Sequence, residues 1–133
     1  MNENITTSQV SEKIANVLQT ISAPARIAIL LTIGSGEACV CHLEAALGWR
    51  QAYISQHLMA LRKADILQDR REGRYVYYRL KDLNFLTLLR DCAALADVAP
   101  HSVDSLLNPQ PDSRCECPIC DPQPIASLLV ARS

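Results

Sequence analysis

Residues 51–80, QAYISQHLMALRKADILQDRREGRYVYYRL, constrain the fold more than any other part of this 133-residue chain. The apolar residues Ile54, Leu58 and Leu61 follow one another at i, i+4 and i+7, so they share one face of a helix. We therefore predict a helix from about Gln51 to Ala64 that packs this face against a hydrophobic core.

The same block continues with two strand-like runs, Ile66–Arg71 and Arg74–Leu80, on either side of Glu72-Gly73. Glycine accommodates the positive φ that a tight turn needs, so this pattern indicates a β-hairpin. The block as a whole therefore predicts a helix followed directly by a hairpin.

Four other segments have helical patterns. They are residues 10–21 with the apolar stripe Val10, Ile14, Val17, Leu18 and Ile21, residues 25–33 after Pro24, Cys39–Leu47, and roughly Leu83–Val98. From residue 100 onward the chain holds six of its seven prolines, so we expect a largely extended tail. These patterns predict two parts, residues 1–99 as a mainly α domain and residues 100–133 as a tail.

The segment Cys39–Leu47 and the helix that begins at Gln51 are joined by a turn containing Gly48, which is typical of a helix-turn-helix. With the hairpin behind it, the arrangement predicts a winged helix-turn-helix of five helices, in which the hairpin stands between the fourth and fifth.

The outward side of the fourth predicted helix carries groups that bind nucleic acid. Glutamine and serine hydrogen-bond base edges in the major groove, arginine and lysine contact phosphates, and a basic wing lies along the backbone or minor groove. The candidates are Gln51, Ala52, Ser55, Gln56 and Lys63 on the helix and Arg70, Arg71, Arg74 and Tyr75 on the hairpin. Residues 50–81 contain eight basic and three acidic side chains, a net charge of +5 in a chain whose total is −1.

Three stretches, SAPARIAIL, EACVCHLEAALG and YISQHLMALRKADILQDRREGRYVYYRL, resemble the ArsR/SmtB family of metal-responsive winged-helix repressors. The match covers roughly residues 10–98. The resemblance implies a homodimer joined through its first and last helices, bound to an imperfect inverted repeat in double-stranded operator DNA and released by an inducer. Two-fold symmetry places the half-sites about one DNA turn apart. Family position also puts His57 in the recognition helix, where it is either a structural histidine or a phosphate contact.

Family members bind inducers at several positions, and the residues of two of these types of site are missing from this sequence. The zinc or nickel type uses Asp and His pairs on the last helix, which reads DLNFLTLLRDCAALADV and has no histidine. The cadmium or lead type adds cysteines from an N-terminal arm, and no cysteine precedes Val10. We therefore expect neither of these sites.

The arsenic type resembles C-V-C-D-L-C at the start of the third helix, where this chain reads C-V-C-H-L-E. Cys39 and Cys41 match, but Glu44 stands at the third position, and a soft metalloid prefers thiolates. On an ideal helix, residues two apart point about 200° away from each other. We therefore expect the pair to face one ion only if the first turn unwinds or the helix starts after Cys41, and such a distortion would move the recognition helix.

The tail supplies further thiols in Cys115, Cys117 and Cys120. A flexible chain of the 15 residues that follow Pro100 spans roughly 21 Å, which is enough to reach the third helix. Two hypotheses follow. Either Cys39 and Cys41 join tail thiols, within a subunit or across the dimer, or the three tail cysteines form a separate site.

Several inducers are compatible with these cysteines. Three thiolates suit As(III) or Sb(III), four favour Cd(II) or Pb(II), and Zn(II) in a structural tail is a further alternative. Oxidation or persulfide formation between paired cysteines is another possible signal.

Cys92 borders an apolar stripe, and we expect it to be a small core residue. No P-loop, GxGxxG or nucleophile elbow is present, so we do not expect an enzyme.

The N-terminal residues MNENITTSQ are polar and lack the basic-then-apolar pattern of a signal peptide. The most apolar run, Ile27–Ile33, is too short to span a bilayer. We therefore expect a cytoplasmic protein that does not enter a membrane.

Overall fold

The computed structural model describes residues 4–107 and Cys115. The elements are α1 (Thr7–Ile21), α2 (Pro24–Ile33), β1 (Ala38–Cys39), α3 (Val40–Leu47), α4 (Gln51–Lys63), β2 (Leu67–Glu72), β3 (Tyr75–Leu80), α5 (Asn84–Leu95) and α6 (Pro100–Leu106). The predicted winged helix-turn-helix is confirmed, with α3 and α4 as the helix-turn-helix and β2–β3 as the wing.

Local sequence sets where the first two helices begin. Thr6 and Gln9 form a capping box, in which the Thr6 hydroxyl accepts from the Gln9 backbone N–H at 3.2 Å and the Gln9 side chain accepts from the Thr6 N–H at 2.9 Å. α2 begins with Pro24 in its first turn, where a missing N–H costs no helical hydrogen bond.

The sheet has three strands in the order β1-β3-β2, and both pairs are antiparallel. The β2–β3 hairpin pairs Leu67 with Leu80 and Glu72 with Tyr75, and Gly73 occupies its turn at φ 61°. The two-residue strand β1 was not predicted. It places Cys39 directly opposite Tyr77 of β3.

One hydrophobic core lies between the helices and the sheet. Its fully buried members include Ile29, Leu30 and Ile33 of α2, Leu43 of α3, and Ile54, Leu58 and Leu61 of α4. The predicted inward face of α4 is therefore confirmed, and α3 and α4 pack against each other and against α2.

The prediction that the chain is extended from residue 100 is wrong over Pro100–Leu106, which forms α6. Pro100 stands in the first turn of this helix, where proline is tolerated. Val103 and Leu107 are spaced i, i+4, so both are buried in the hydrophobic core.

The division of the chain into two parts at residue 99 stays a prediction. The apolar run predicted to dock, Ile125–Ala131, lies outside the described residues.

Cys92 is also placed differently from our expectation. α5 buries Leu86 and Leu89, whereas Cys92 is exposed, so the core-residue interpretation is wrong. The apolar stripe of this helix is narrow, and a cysteine three residues after Leu89 falls at its edge on the solvent side.

The apolar stripe predicted for α1 is mostly uncovered in a single chain. Ile21 is buried, but Val10, Ile14, Val17 and Leu18 are between 38% and 55% exposed. An amphipathic helix that leaves its apolar side in solvent is typical of an element that packs against a partner.

No single helix among residues 4–107 is both long and apolar enough to cross a membrane. Taken together, α1 and α2 have the necessary length and composition, but an 81° bend separates them.

Candidate metal centre and nucleic-acid interface

Three cysteine thiols converge at the start of α3. The Sγ atoms lie 2.7 Å apart for Cys39 and Cys41, 2.9 Å for Cys41 and Cys115, and 3.7 Å for Cys39 and Cys115. Across residues 4–107 and Cys115, these thiols form the only group of three or more Cys, His, Asp or Glu ligands lying within 4.8 Å of one another. We refer to Cys39, Cys41 and Cys115 as the thiol cluster.

The backbone at Cys39 explains how a pair two residues apart can meet. Cys39 is extended, with φ −87° and ψ 167°, and its sulfur caps α3 by accepting from the His42 backbone N–H at 3.4 Å. Cys41 already belongs to the first turn of the helix. The expected 200° separation is therefore wrong here, because one cysteine stands outside the helix, and no unwinding is needed.

The helix start also provides a suitable electrostatic setting. The N-terminus of a helix carries unsatisfied N–H groups and a partial positive charge, which stabilise negative charge on a nearby sulfur. A thiolate at Cys39 would receive this stabilisation from α3, the helix that packs against α4.

Apolar and aromatic groups surround the cluster. Cys39 and Cys115 are 2% and 3% exposed and form a small core of their own with Tyr77, against which Ala45 and Tyr75 pack. Three soft sulfur donors in a water-poor environment fit a thiophilic metal or metalloid and disfavour hard, oxygen-loving cations. Cys117 and Cys120, the other predicted tail ligands, lie outside the described residues.

The predicted DNA-facing side of α4 is open. Gln51, Ala52, Gln56 and Lys63 are exposed and Ser55 is half-buried, while the opposite side of the helix is in the core. This separation leaves the polar side free to enter a groove.

His57 sits between the two sides of α4. Its Nδ1 accepts from Arg26 Nε at 3.4 Å, the Tyr53 ring meets it edge-on at 4.7 Å, and its buried Nε2 has no hydrogen-bond partner within the described part of the chain. Burial, helped by the positive charge of Arg26, holds the pKa of His57 below its ordinary value. The contact with Arg26 ties His57 to α2, as expected for a structural histidine.

The predicted wing residues differ in their surroundings. Arg71 and Arg74 are exposed, and the Arg74 guanidinium lies 5.4 Å from the centre of the Tyr75 ring. Tyr75 itself is half-buried beside the thiol cluster.

Arg70 is held by two carboxylates, although its side chain is 44% exposed. It donates to Glu37 at 2.9 and 3.1 Å and to Glu72 at 2.8 Å, and its guanidinium lies 4.8 Å from the centre of the Tyr77 ring. The hydrogen bond from Arg70 lowers the pKa of Glu37.

Sequence reasoning missed Glu37 and Tyr77 as parts of this site. A two-residue strand such as β1 is too short to be predicted from a sequence pattern. Without β1, nothing in the sequence connects Tyr77 with the cysteines or shows that Glu37, two residues before Cys39, contacts Arg70.

Comparison with known proteins matches residues 23–69 to the family described as "Bacterial regulatory protein, arsR family". The arsenic resistance transcriptional regulator ArsR1 of Pseudomonas putida is 57% identical over 51 residues, which cover 38% of this chain and 40% of that protein. The chain spans between 40% and 65% of the length of the curated relatives it matches first.

Solved structures agree with the fold. The transcriptional regulator HlyU from Vibrio vulnificus is 31% identical with a TM-score of 0.61, covering 66% of this chain and 92% of that one. The antimony-specific transcriptional repressor AntR is 28% identical with a TM-score of 0.59, covering 71% of this chain and 86% of that one.

Proposed function

Because this chain belongs to the arsR family of bacterial regulatory proteins, we propose that it is a transcriptional repressor that leaves its operator when As(III) or Sb(III) binds the thiol cluster. The observation that carries the proposal is the convergence of three sulfurs at the start of the helix that supports α4. The names of two similar proteins, an arsenic resistance regulator and an antimony-specific repressor, point to the same class of inducer.

The binding reaction is a ligand exchange. Arsenite or antimonite enters as a trihydroxide, three metalloid–sulfur bonds replace three metalloid–oxygen bonds, and each thiol proton leaves with a hydroxide as water. No electron is transferred. Tyr75 and Tyr77 cover the buried cysteines Cys39 and Cys115 and limit competition by water there, which favours the sulfur-bound product.

Inducer binding is coupled to DNA through packing. A metalloid bound to Cys41 restrains the first turn of α3, and α3 contacts α4, whose outward side binds DNA in this proposal. The coupling is reciprocal, so DNA weakens inducer binding by the same factor. A coupling free energy of about 3 to 4 kcal/mol would lower DNA affinity several-hundredfold.

DNA recognition follows from the open side of α4. Gln51, Ala52, Ser55, Gln56 and Lys63 face the major groove, and the wing residues Arg71 and Arg74 contact the backbone. The exposed stripe of α1 supports a homodimer that pairs this helix and α5 with those of a second copy, so the operator is an inverted repeat of double-stranded DNA. Such a repressor acts in the cytoplasm.

The decisive test measures release of DNA. An operator duplex is first selected from a random-sequence library by binding to the wild-type protein. Its affinity is then followed by fluorescence anisotropy with and without Sb(III) under anaerobic, reducing conditions. We expect Sb(III) to release the wild-type protein from the operator but not the Cys115→Ser variant. Cys92→Ser, which changes an exposed cysteine of α5, is the control and should be released like wild type.

Equal release of wild type and Cys115→Ser by Sb(III) would refute the proposed site. Cd(II), Pb(II) and Zn(II) are assayed beside Sb(III) with the Cys117→Ser and Cys120→Ser variants. A response to these ions that needs Cys117 or Cys120 would instead assign a site with four thiolates.

Thiol oxidation is the second candidate signal, and the short sulfur distances favour it. Cys41 Sγ lies 2.9 Å from Cys115 Sγ, so hydrogen peroxide can accept two electrons as these thiols lose two protons and form a disulfide. DNA release by peroxide or polysulfide, together with failure of Sb(III) in the absence of oxidant, would support this alternative against metalloid sensing.

A further inference from the structure

Cys39, Tyr77 and Arg70 form one row across the three-stranded sheet. Tyr77 of β3 pairs with Cys39 of β1 on one side and with Arg70 of β2 on the other. Directly opposite residues of antiparallel strands share a face, so the three side chains lie side by side. Tyr77 is fully buried, touches the thiol cluster and carries the Arg70 guanidinium 4.8 Å from its ring centre.

Glu37 lies immediately before β1, on the same face of the sheet as this row. It stands two residues before Cys39, and alternate residues of an extended segment point to the same face. Its two carboxylate oxygens accept from Arg70 Nε and an Arg70 terminal nitrogen at 3.1 and 2.9 Å, so the contact uses both oxygens. The position of Glu37 is therefore linked to that of Cys39 by only one intervening residue.

We propose that Glu37 withdraws Arg70 from the DNA backbone when an inducer binds the thiol cluster and holds it in this arrangement. This inference rests on the proposed function and adds a second route, through the wing, to the contact between α3 and α4. An ion held by Cys39, Cys41 and Cys115 fixes Cys39 beside Tyr77, which keeps Glu37 within reach of Arg70. A carboxylate and a DNA phosphate compete for the same guanidinium edge, so Arg70 cannot serve both.

Glu72 provides a matched control within the wing. It also accepts from Arg70, at 2.8 Å, but it belongs to β2 and moves with Arg70 instead of with Cys39. Removing the Glu72 charge therefore changes DNA affinity equally with and without inducer, whereas removing the Glu37 charge has a larger effect when inducer is bound.

The test uses the full chain as wild type, Glu37→Gln, Glu72→Gln and Arg70→Ala, with antimonyl tartrate as the Sb(III) source. Binding of Sb(III) is followed by the absorbance of the sulfur–antimony bonds, and DNA affinity by anisotropy between about 50 and 200 mM salt. We expect all four proteins to bind Sb(III) equally well. Sb(III) should weaken DNA binding less in Glu37→Gln than in wild type. The difference should be roughly 3-fold per protomer, the contribution of one exposed ion pair.

The salt dependence gives a second readout. In wild type, Sb(III) should reduce the slope of log affinity against log salt by about 0.9 for each phosphate that the protein no longer neutralises. In Glu37→Gln and in Arg70→Ala, Sb(III) should reduce this slope less than in wild type, because the phosphate contact of Arg70 is not lost when Sb(III) binds. In Glu72→Gln, the reduction of the slope should match that of wild type.

The outcomes separate the two proposals. If Sb(III) binds and releases wild type but Glu37→Gln responds as strongly as wild type, the wing route is refuted and the repressor function stands. Equal changes in Glu37→Gln and Glu72→Gln also overturn the wing route. If Sb(III) does not bind the wild-type thiols, both proposals fail.

Discussion

The Sγ atoms of Cys41 and Cys115 lie 2.9 Å apart although 74 residues separate the two cysteines in the chain. α6 makes this approach feasible, because Val103 and Leu107 anchor the chain in the main core shortly before Cys115. An ion that bridges the two sulfurs therefore ties the tail to the start of α3.

This bridge predicts a stabilisation that is measurable without DNA. A ligand that binds only the folded state adds about 2.7 kcal/mol at 100 times its dissociation constant, so Sb(III) should raise the thermal unfolding midpoint of wild type. Cys115→Ser should show a much smaller rise in calorimetry. Similar rises in the two proteins would mean that Sb(III) binds without Cys115.

Cys39 has two roles that substitution can separate. Serine at position 39 keeps a side chain able to cap α3, whereas alanine removes the cap at a cost of about 0.5–2 kcal/mol. We expect Cys39→Ser to unfold at a higher temperature than Cys39→Ala in circular dichroism. Both should lose high-affinity Sb(III) binding, and retention of that binding by Cys39→Ser would remove Cys39 from the site.

The two sides of α4 should respond to mutation in opposite ways. Leu58 is 1% exposed, so Leu58→Ala should lower the free energy of unfolding by about 2–5 kcal/mol. Gln56→Ala, on the exposed side, should change stability by less than about 0.5 kcal/mol but weaken operator binding by about 1–3 kcal/mol. Urea titration and anisotropy measure the two effects, and unchanged operator affinity in Gln56→Ala would exclude this residue from the interface.

The α1 stripe should control assembly. Ile14 is 55% exposed, and a glutamate there places a charge in the proposed dimer interface. Sedimentation velocity should show a dimer for wild type and a monomer for Ile14→Glu. Gln19→Glu adds the same charge to the exposed side of α1 opposite the stripe and should remain dimeric. A dimeric Ile14→Glu would place the interface elsewhere.

The environment of His57 predicts a pH dependence of stability. Burial and Arg26 lower its pKa from 6.5, so the folded state favours the neutral ring. This contribution to stability is complete above pH 6.5 and is lost as pH falls through the lower folded pKa. His57→Gln should therefore flatten the decline in urea stability between pH 7.5 and 5.5.

His101→Gln provides the control for this experiment, because His101 is exposed on α6. It should keep the decline seen in wild type. A wild-type profile that is flat over this range would contradict the predicted role of His57.

Local patterns were sufficient for much of the fold. The i, i+4, i+7 spacing of Ile54, Leu58 and Leu61 and the glycine at position 73 act over a few residues, so they predicted α4 and its hairpin correctly. α6 was missed because the number of prolines after residue 99 outweighed the apolar pair Val103 and Leu107.

The sequence by itself determined the helix-turn-helix, the wing and the cysteines worth considering, because periodicity, turn residues and thiol chemistry are local properties. Only the tertiary structure decided that Cys39 is extended and faces Tyr77, that Cys115 reaches Cys41, and that Glu37 holds Arg70. These relations depend on strand register and on contacts between residues far apart in the chain. No local pattern encodes such contacts, because they form only when the core brings the segments together.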